Sequence, residues 1–479
     1  MNEFKNYIGG EWVGSSASIE NINPSDISDI VGRYAVADVA HVEDAISAAD
    51  LAVRSSAAPG IQQRSDILDA IGTEILARRD ELGSLLAREE GKILPEATGE
   101  VIRAGQIFKF FAGEVVRLKG DLIPSVRPGI QVEVTREPIG VVGILSPWNF
   151  PIAIPAWKIA PALAFGNAVV FKPASNVPAS AWALAEIISR SGLPSGFFNL
   201  VIGSGQVVGS AILNDERVRG VSFTGSVATG RTVASVCSAR GAKYQLEMGG
   251  KNPLVVLDDA DIENAVGCAV NSAFYSTGQR CTASSRIIVT AGIHDEFVDR
   301  CLQEIAYLNV GHALHEDSQI GPVIDQAQLE QDLHYIDIGV KEGASLAIGG
   351  ERLQRDSEGF YLSPALFVDS NNSMQINREE IFGPVATVIR AADYEEAVGI
   401  ANDTVFGLSA GICTRSLKRA SDFKQASRAG MVMVNLPTAG VDYHVPFGGT
   451  KGSSYGPREQ GSYASEFYTA VKTAYTLPV

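Results

Sequence analysis

Between residues 39 and 118 apolar positions recur at helical spacing. Ile67, Leu68, Ile71, Ile75, Leu82, Leu85 and Leu86 fall on one face, so 39–58 and 62–90 read as amphipathic helices and 95–118 as a third. Residues 131–135 alternate instead and carry few core positions, which predicts a projecting hairpin arm. From Gly140 the pattern changes again. Apolar strand-like runs at 141–145, 168–172, 198–202, 218–223 and 243–247 are separated by helical stretches such as 156–164 and 179–191. Unbroken apolar strands between helices predict a parallel sheet covered on both faces. A second αβ series starts near Pro253, with candidate strands at 254–257, 286–290, 385–389, 410–413 and 432–435 and helices at 262–275 and 326–343. The expected fold class is therefore α/β, two doubly wound α/β domains with a small β arm. Their junction near Gly249 and Gly250 makes the cleft between them the default ligand site.

Composition narrows the function classes. The 479 residues are 46% hydrophobic and 20% charged, an ordinary globular balance that argues against disorder, collagen and coiled coil. The 39 Lys+Arg against 55 Asp+Glu leave a net charge of −16. Such a chain repels phosphate backbones, so no nucleic-acid partner is expected, and an anionic ligand needs its own local cation. The five cysteines, Cys237, Cys268, Cys281, Cys301 and Cys413, form no CxxC or Cys/His cluster. Neither a metal site nor a disulfide framework is expected, and a reducing, cytoplasmic setting fits. Residues 1–14 lack a basic segment followed by an apolar run, so no signal peptide is read there. The apolar stretch 137–158 holds Pro138, Pro147, Pro151 and Pro155, which would break a lipid-exposed helix, so no membrane partner is expected.

Six short segments carry candidate chemistry. Residues 203–209 (GSGQVVG), with Gly205 central, follow a strand and open a helix, one residue longer than the G-x-G-x-x-G fingerprint; a glycine-rich helix start explains them equally well. Residues 223–226 (Phe223, Thr224, Gly225, Ser226) also join a strand to a helix, where backbone N–H groups suit a pyrophosphate, or where Ser226 is only an N-cap. Lys172 ends a strand at the edge where open sheets take ligands, or snorkels there. Cys281 sits in the polar loop 276–282 (STGQRCT) beside Arg280, and a neighbouring cation favours thiolate. The other four cysteines lie in helix or strand patterns and read as packing residues. Glu247 precedes Met248 and two glycines at the domain junction, a place for a general base or for a hinge carboxylate held by backbone N–H groups. Asn149, in 147–151 (PWNFP), offers an amide to a developing oxyanion, or simply forms a turn.

Taken in order, the segments 147–151, 172–174, 223–226, 246–251, 278–281, 379–384 (EEIFGP) and 446–449 (PFGG) resemble the signature blocks of the aldehyde dehydrogenase superfamily over nearly the whole chain. The longer glycine spacing at 203–209 resembles that family too. The resemblance implies Cys281 as nucleophile, Asn149 with the Cys281 N–H as oxyanion donors, and Glu247 as the base that activates water for thioester hydrolysis. It implies a Rossmann-like cofactor domain over 1–118 and 139–249 and a catalytic domain over 250–450. Residues 119–138 and 451–479 would form the oligomerisation arm and C-terminal segment of a homodimer or homotetramer. Lys172 would bind the adenosine ribose, Trp148, Ser226 and Met248 would line the cofactor cleft, and Glu380 and Phe382 would place the nicotinamide ribose and ring.

Two further expectations follow from that resemblance. Many NAD-preferring members carry Glu where this chain has Ser175; serine leaves Lys172 free for a 2′-phosphate, so NADP is favoured over NAD. Residues 244–253, 276–285, 435–441 and 453–461 resemble members that oxidise 2,5-dioxopentanoate to 2-oxoglutarate, with succinate or glutarate semialdehyde as the alternative. Succinic semialdehyde members usually carry arginine at the positions of Trp157 and Tyr275, and this chain does not. A small anionic semialdehyde needs a cation, and Arg280 stands beside the nucleophile, unless it is a structural arginine paired to a carboxylate. Phe150, Trp157 and Phe447 would wall the substrate tunnel.

Overall fold

The computed structural model describes residues 3–56 and 58–478. Its first large sheet is built on five parallel strands, Val141–Leu145, Ala168–Lys172, Phe198–Leu200, Val218–Gly225 and Lys243–Met248. They lie side by side with the first strand central, the second and third to one side and the fourth and fifth to the other. Strand order thus reverses between Val141–Leu145 and Val218–Gly225, and the loops after those two strands flank the crevice where such sheets take ligands. Antiparallel strands widen both edges, Asn6–Ile8 and Glu11–Val13 at one and Ser454–Tyr455 at the other.

The second large sheet has seven strands, among them Pro253–Val256, Arg286–Thr290, Val385–Ala391, Ser409–Cys413 and Met431–Val434 in parallel. Every residue of Val141–Leu145, Ala168–Lys172, Pro253–Val256 and Arg286–Thr290 is buried, as expected for strands with helices on both faces. The chain leaves the first sheet at Met248 and enters the second at Pro253. The carboxyl edge of the first sheet therefore faces the amino edge of the second, where the loops leading into Arg286–Thr290 and Val385–Ala391 lie.

A separate three-stranded antiparallel sheet joins Asp121–Pro124, Gln131–Pro138 and Thr469–Thr476, the last two paired over eight positions. It leaves Leu122, Val471 and Tyr475 exposed.

Two departures from the sequence pattern have local causes. The helical run 62–90 is two helices, Ile61–Ala77 and Arg79–Glu90, broken at Arg78, which leaves helical geometry and bridges Glu81 and Glu186. The glycine segment 203–209 opens not with an α-helix but with a wider π-turn over Gly205–Gly209, capped by Ser204. The fully buried helix Ala153–Ala164 packs against Leu94–Val115, whose second residue, Pro95, suits a helix start.

Candidate active site

Two cavities meet at one side chain. The first, about 300 Å³, is lined by Lys92, Glu96, Glu100 and Arg103 from the start of helix Leu94–Val115 and the residues before it. Phe150, Trp157, Arg280 and Phe447 complete most of its wall. The second, about 200 Å³, is lined by Trp148, Asn149, Thr224, Gly225, Ser226, Met248, Glu380 and Phe382. Among the described residues, Cys281 is the only one that lines both.

The loop carrying Cys281 is clamped from both sides. Ser276 and Thr277 adopt left-handed backbone geometry, with φ of 50° and 57°, which non-glycine residues hold only when their surroundings enforce it. Glu96 enforces it, accepting from the Ser276 N–H at 3.1 Å, the Ser276 hydroxyl at 3.0 Å and Arg280 Nη2 at 2.7 Å. Thr277 donates to the Gly321 carbonyl at 3.1 Å. On the far side Asn252 Nδ2 donates to the carbonyls of Cys281 and Ala283 at 2.8 and 2.9 Å.

This clamp corrects one expectation. Arg280 lines the cavity, but its charge is taken up by Glu96 and does not favour a thiolate. Burial, aided by the negative fields of Glu380 and Glu247, pushes the Cys281 thiol up to about 12. This burial favours the neutral thiol, so any attack by its sulfur would require a base.

Asn149 is held on both flanks. Its Nδ2 donates to the Gln279 carbonyl at 2.9 Å, two residues from Cys281, and its own carbonyl accepts from Lys92 Nζ at 2.8 Å. Lys92 also pairs with Glu100 at 2.7 Å, both side chains buried, and lies 3.8 Å over the Phe150 ring. Removing one partner of such a buried pair costs about 3–5 kcal/mol, so this support of Asn149 is stiff. Glu100 also accepts from the N–H groups of Ile152 and Ala153.

Glu247 is buried and lines neither cavity. Its Oε2 accepts from the Ser454 hydroxyl at 2.6 Å, a side-chain partner in place of the backbone N–H groups that a hinge role implied. Burial, then the charge of Glu459, raises its pKa well above the usual carboxylate range. Glu459 in turn accepts from Lys158 and from Ser222 at 3.2 Å, so the carboxylate pair is backed by one buried ammonium.

In the second cavity Trp148 meets Phe382 edge to face at 5.3 Å. Glu380 accepts from the Gly250 N–H at 2.9 Å, and burial raises its carboxyl to about 7. Only glycine at 249 permits this seat, since a Cβ there would fall 1.8 Å from Glu380 Oε2. Ser226, which lines the cavity, caps helix Val227–Ala239, and the Thr224 hydroxyl is buried without a partner among the described residues. Phe223 lies beneath Gly225 as packing rather than as lining. Lys172, Ser175 and Gly205 stand outside this cavity, at or just after the carboxyl ends of neighbouring strands of the same sheet. Ser175 donates to the Gly203 carbonyl at 3.0 Å; Lys172 reaches only the Pro173 carbonyl, and burial lowers its pKa to about 8.

A thiol between two cavities, with an amide lining one of them and a buried carboxylate acting on it, agrees with what the comparisons return. The family model described as "Aldehyde dehydrogenase family" matches residues 12–474. The chain belongs to the aldehyde dehydrogenase family. It is 44% identical to the alpha-ketoglutaric semialdehyde dehydrogenase of Bacillus subtilis, covering 100% of this chain and 99% of that one. It is 37% identical to the 2,5-dioxopentanoate dehydrogenase of Saccharolobus solfataricus, covering 98% and 99%. A crystal structure of betaine aldehyde dehydrogenase from Staphylococcus aureus in complex with NAD+ superposes with a TM-score of 0.96 at 32% identity, covering 99% of this chain and 95% of that one.

For a member of this family, the sequence segments located the loops but not everything that supports them. Lys92, Glu96, Glu100, Arg103, Ser454 and Glu459 were missed. One signal was present. Glu96, Glu100 and Arg103 recur at i, i+4 and i+7, a charged stripe on a helix that is otherwise rich in buried apolar residues.

Proposed function

We propose that this aldehyde dehydrogenase oxidises 2,5-dioxopentanoate to 2-oxoglutarate with NADP or NAD through an acyl thioester on Cys281. The meeting of a polar, cation-bearing cavity and a loop-walled cleft at one thiol carries the reading. The full-length likeness to relatives named for this aldehyde supports the choice of substrate.

The residues divide the work. A base removes the Cys281 proton, and the sulfur bonds to the aldehyde carbon. The oxygen left with a negative charge is met by Asn149 Nδ2 and the Cys281 N–H, donors fixed before reaction by the clamps described above. A bound nicotinamide coenzyme would supply the hydride acceptor that the oxidation needs. Trp148, Ser226, Met248, Glu380 and Phe382 would hold it, with Lys172 and Ser175 at its adenosine end. The unpartnered Thr224 hydroxyl, with Gly225 and the cap residue Ser226 beside it in the cavity wall, fits such a polar, phosphate-bearing guest. Glu247, once turned from Ser454, takes a proton from water. Water adds to the thioester carbon, the C–S bond breaks, the sulfur regains a proton and the acid leaves. Because Glu247 binds its proton tightly, its basic form grows as pH rises.

The exposed apolar positions of the small sheet, Leu122, Val471 and Tyr475, support assembly of two or four copies through that arm. Five unpaired thiols suit the cytoplasm, where we place the protein.

Reduced-nicotinamide absorbance with a panel of semialdehydes and both coenzymes tests the reading. Turnover of 2,5-dioxopentanoate above succinate and glutarate semialdehydes is expected; a lead for either competitor reverses the substrate assignment. Ser175→Glu should move the NADP/NAD ratio of kcat/KM toward NAD by about tenfold or more, since a carboxylate near a phosphate costs at least ~1.4 kcal/mol. An unmoved ratio removes Ser175 from coenzyme choice.

A further inference from the structure

Three cations line the first cavity, and two are already matched. Lys92 is paired with Glu100 and Arg280 with Glu96. Arg103, one turn further along helix Leu94–Val115, makes no ion pair among the described residues. Its Nη2 donates to Gln460 Oε1 at 3.2 Å, and its Nε is buried without a partner. Its guanidinium lies 5.6 Å over the Trp157 ring, and Trp157 stacks on Phe447 at 5.4 Å. The side chain is thus held in place by aromatic packing rather than by a counterion. Glu100 and Asp442 act on it only through space; Glu100 is already taken up by Lys92 and two backbone N–H groups. Arg103 and Cys281 line the same cavity.

A desolvated guanidinium without a carboxylate is costly, and the cost is recovered when an anion arrives. We propose that Arg103, not Arg280, binds the carboxylate of the substrate and sets the enzyme's preference for anionic aldehydes. The inference rests on the semialdehyde reading above and adds the residue that recognises the charge. The aldehyde end is fixed at Cys281, so a chain carrying its carboxylate at the far end is selected by the distance to Arg103. Trp157 supplies apolar wall in the same cavity, beneath the Arg103 guanidinium. The same charge disfavours aldehydes that carry a quaternary ammonium.

The test compares unaltered enzyme, Arg103→Met, Arg103→Lys and Arg280→Met on 2,5-dioxopentanoate, a neutral aldehyde of equal length and a quaternary ammonium aldehyde. Arg103→Met should raise KM for the anion by about 100-fold, the usual cost of removing one partner of a buried charge pair. KM for the neutral aldehyde should rise far less, kcat/KM for the cation should increase, and Arg103→Lys should restore part of the anion's affinity. Calorimetric binding of 2-oxoglutarate should weaken in parallel. Equal KM changes for anion and neutral aldehyde, or a selective loss in Arg280→Met in place of Arg103→Met, overturn the assignment. Failure of the unaltered enzyme to oxidise any semialdehyde overturns the substrate reading itself and this inference with it.

Discussion

The cleft beside Trp148 and Glu380 is walled mostly by segments that follow or precede a strand, and its polar side chains are hydroxyls, amides and one carboxyl. The cavity beside Trp157 is charged by a network of three cations and two carboxylates, in which Glu96, Glu100 and Arg103 come from one helix far away in sequence, Lys92 from the residues just before it and Arg280 from the Cys281 loop. The first can form from local turn chemistry. The second exists only when helix Leu94–Val115 docks against the Cys281 loop. Glu96 links them, because the carboxylate that neutralises Arg280 also imposes the backbone geometry at Ser276 and Thr277.

The strongest way to break the comparison acts where the cavities join. Cys281→Ala should lower kcat by at least ~10⁴-fold, as loss of a covalent nucleophile does, while coenzyme binding followed by fluorescence persists. A residual rate near that of the parent would move the chemistry elsewhere. Asn149→Ala should cost about 10²–10³-fold in kcat with a smaller change in KM, the signature of a lost oxyanion donor. A change confined to KM would reduce Asn149 to a turn residue.

The smallest effect concerns stability on the helix side. Glu90, buried with one oxygen unpartnered, has its carboxyl raised to about 8 by burial. Above the usual carboxylate range the unfolded chain has lost this proton and the folded chain still holds it. Folding is therefore penalised as pH rises from about 4.5 towards 8. Glu90→Gln should remove this part of the pH dependence in denaturant titrations; an unchanged slope would show that Glu90 does not contribute.

The sequence was most legible where local chemistry decides structure. Apolar runs gave the parallel strands, and the loops with Asn149, Ser226, Glu247 and Cys281 were recognised from residue types that caps, turns and glycine junctions require. It was least legible where partners are remote. Nothing near Arg280 in sequence announces Glu96, and the cation beside Cys281 was read as activating the thiol when its charge is spent elsewhere. The antiparallel edge strands Asn6–Ile8 and Ser345–Ile348 also went unread, since short edge strands carry little periodic signal.

Sequence alone determined the α/β class, the family resemblance and the reactive residue types, because hydrophobic period and turn chemistry act over a few residues. Tertiary structure decided which charges are free. It placed Cys281 at the meeting of two cavities, turned Glu247 toward Ser454, and paired Lys92 and Arg280. That left Arg103 as the cation without a carboxylate partner among the described residues lining the cavity, because electrostatic pairing depends on distance and burial, and both are set only when remote segments pack.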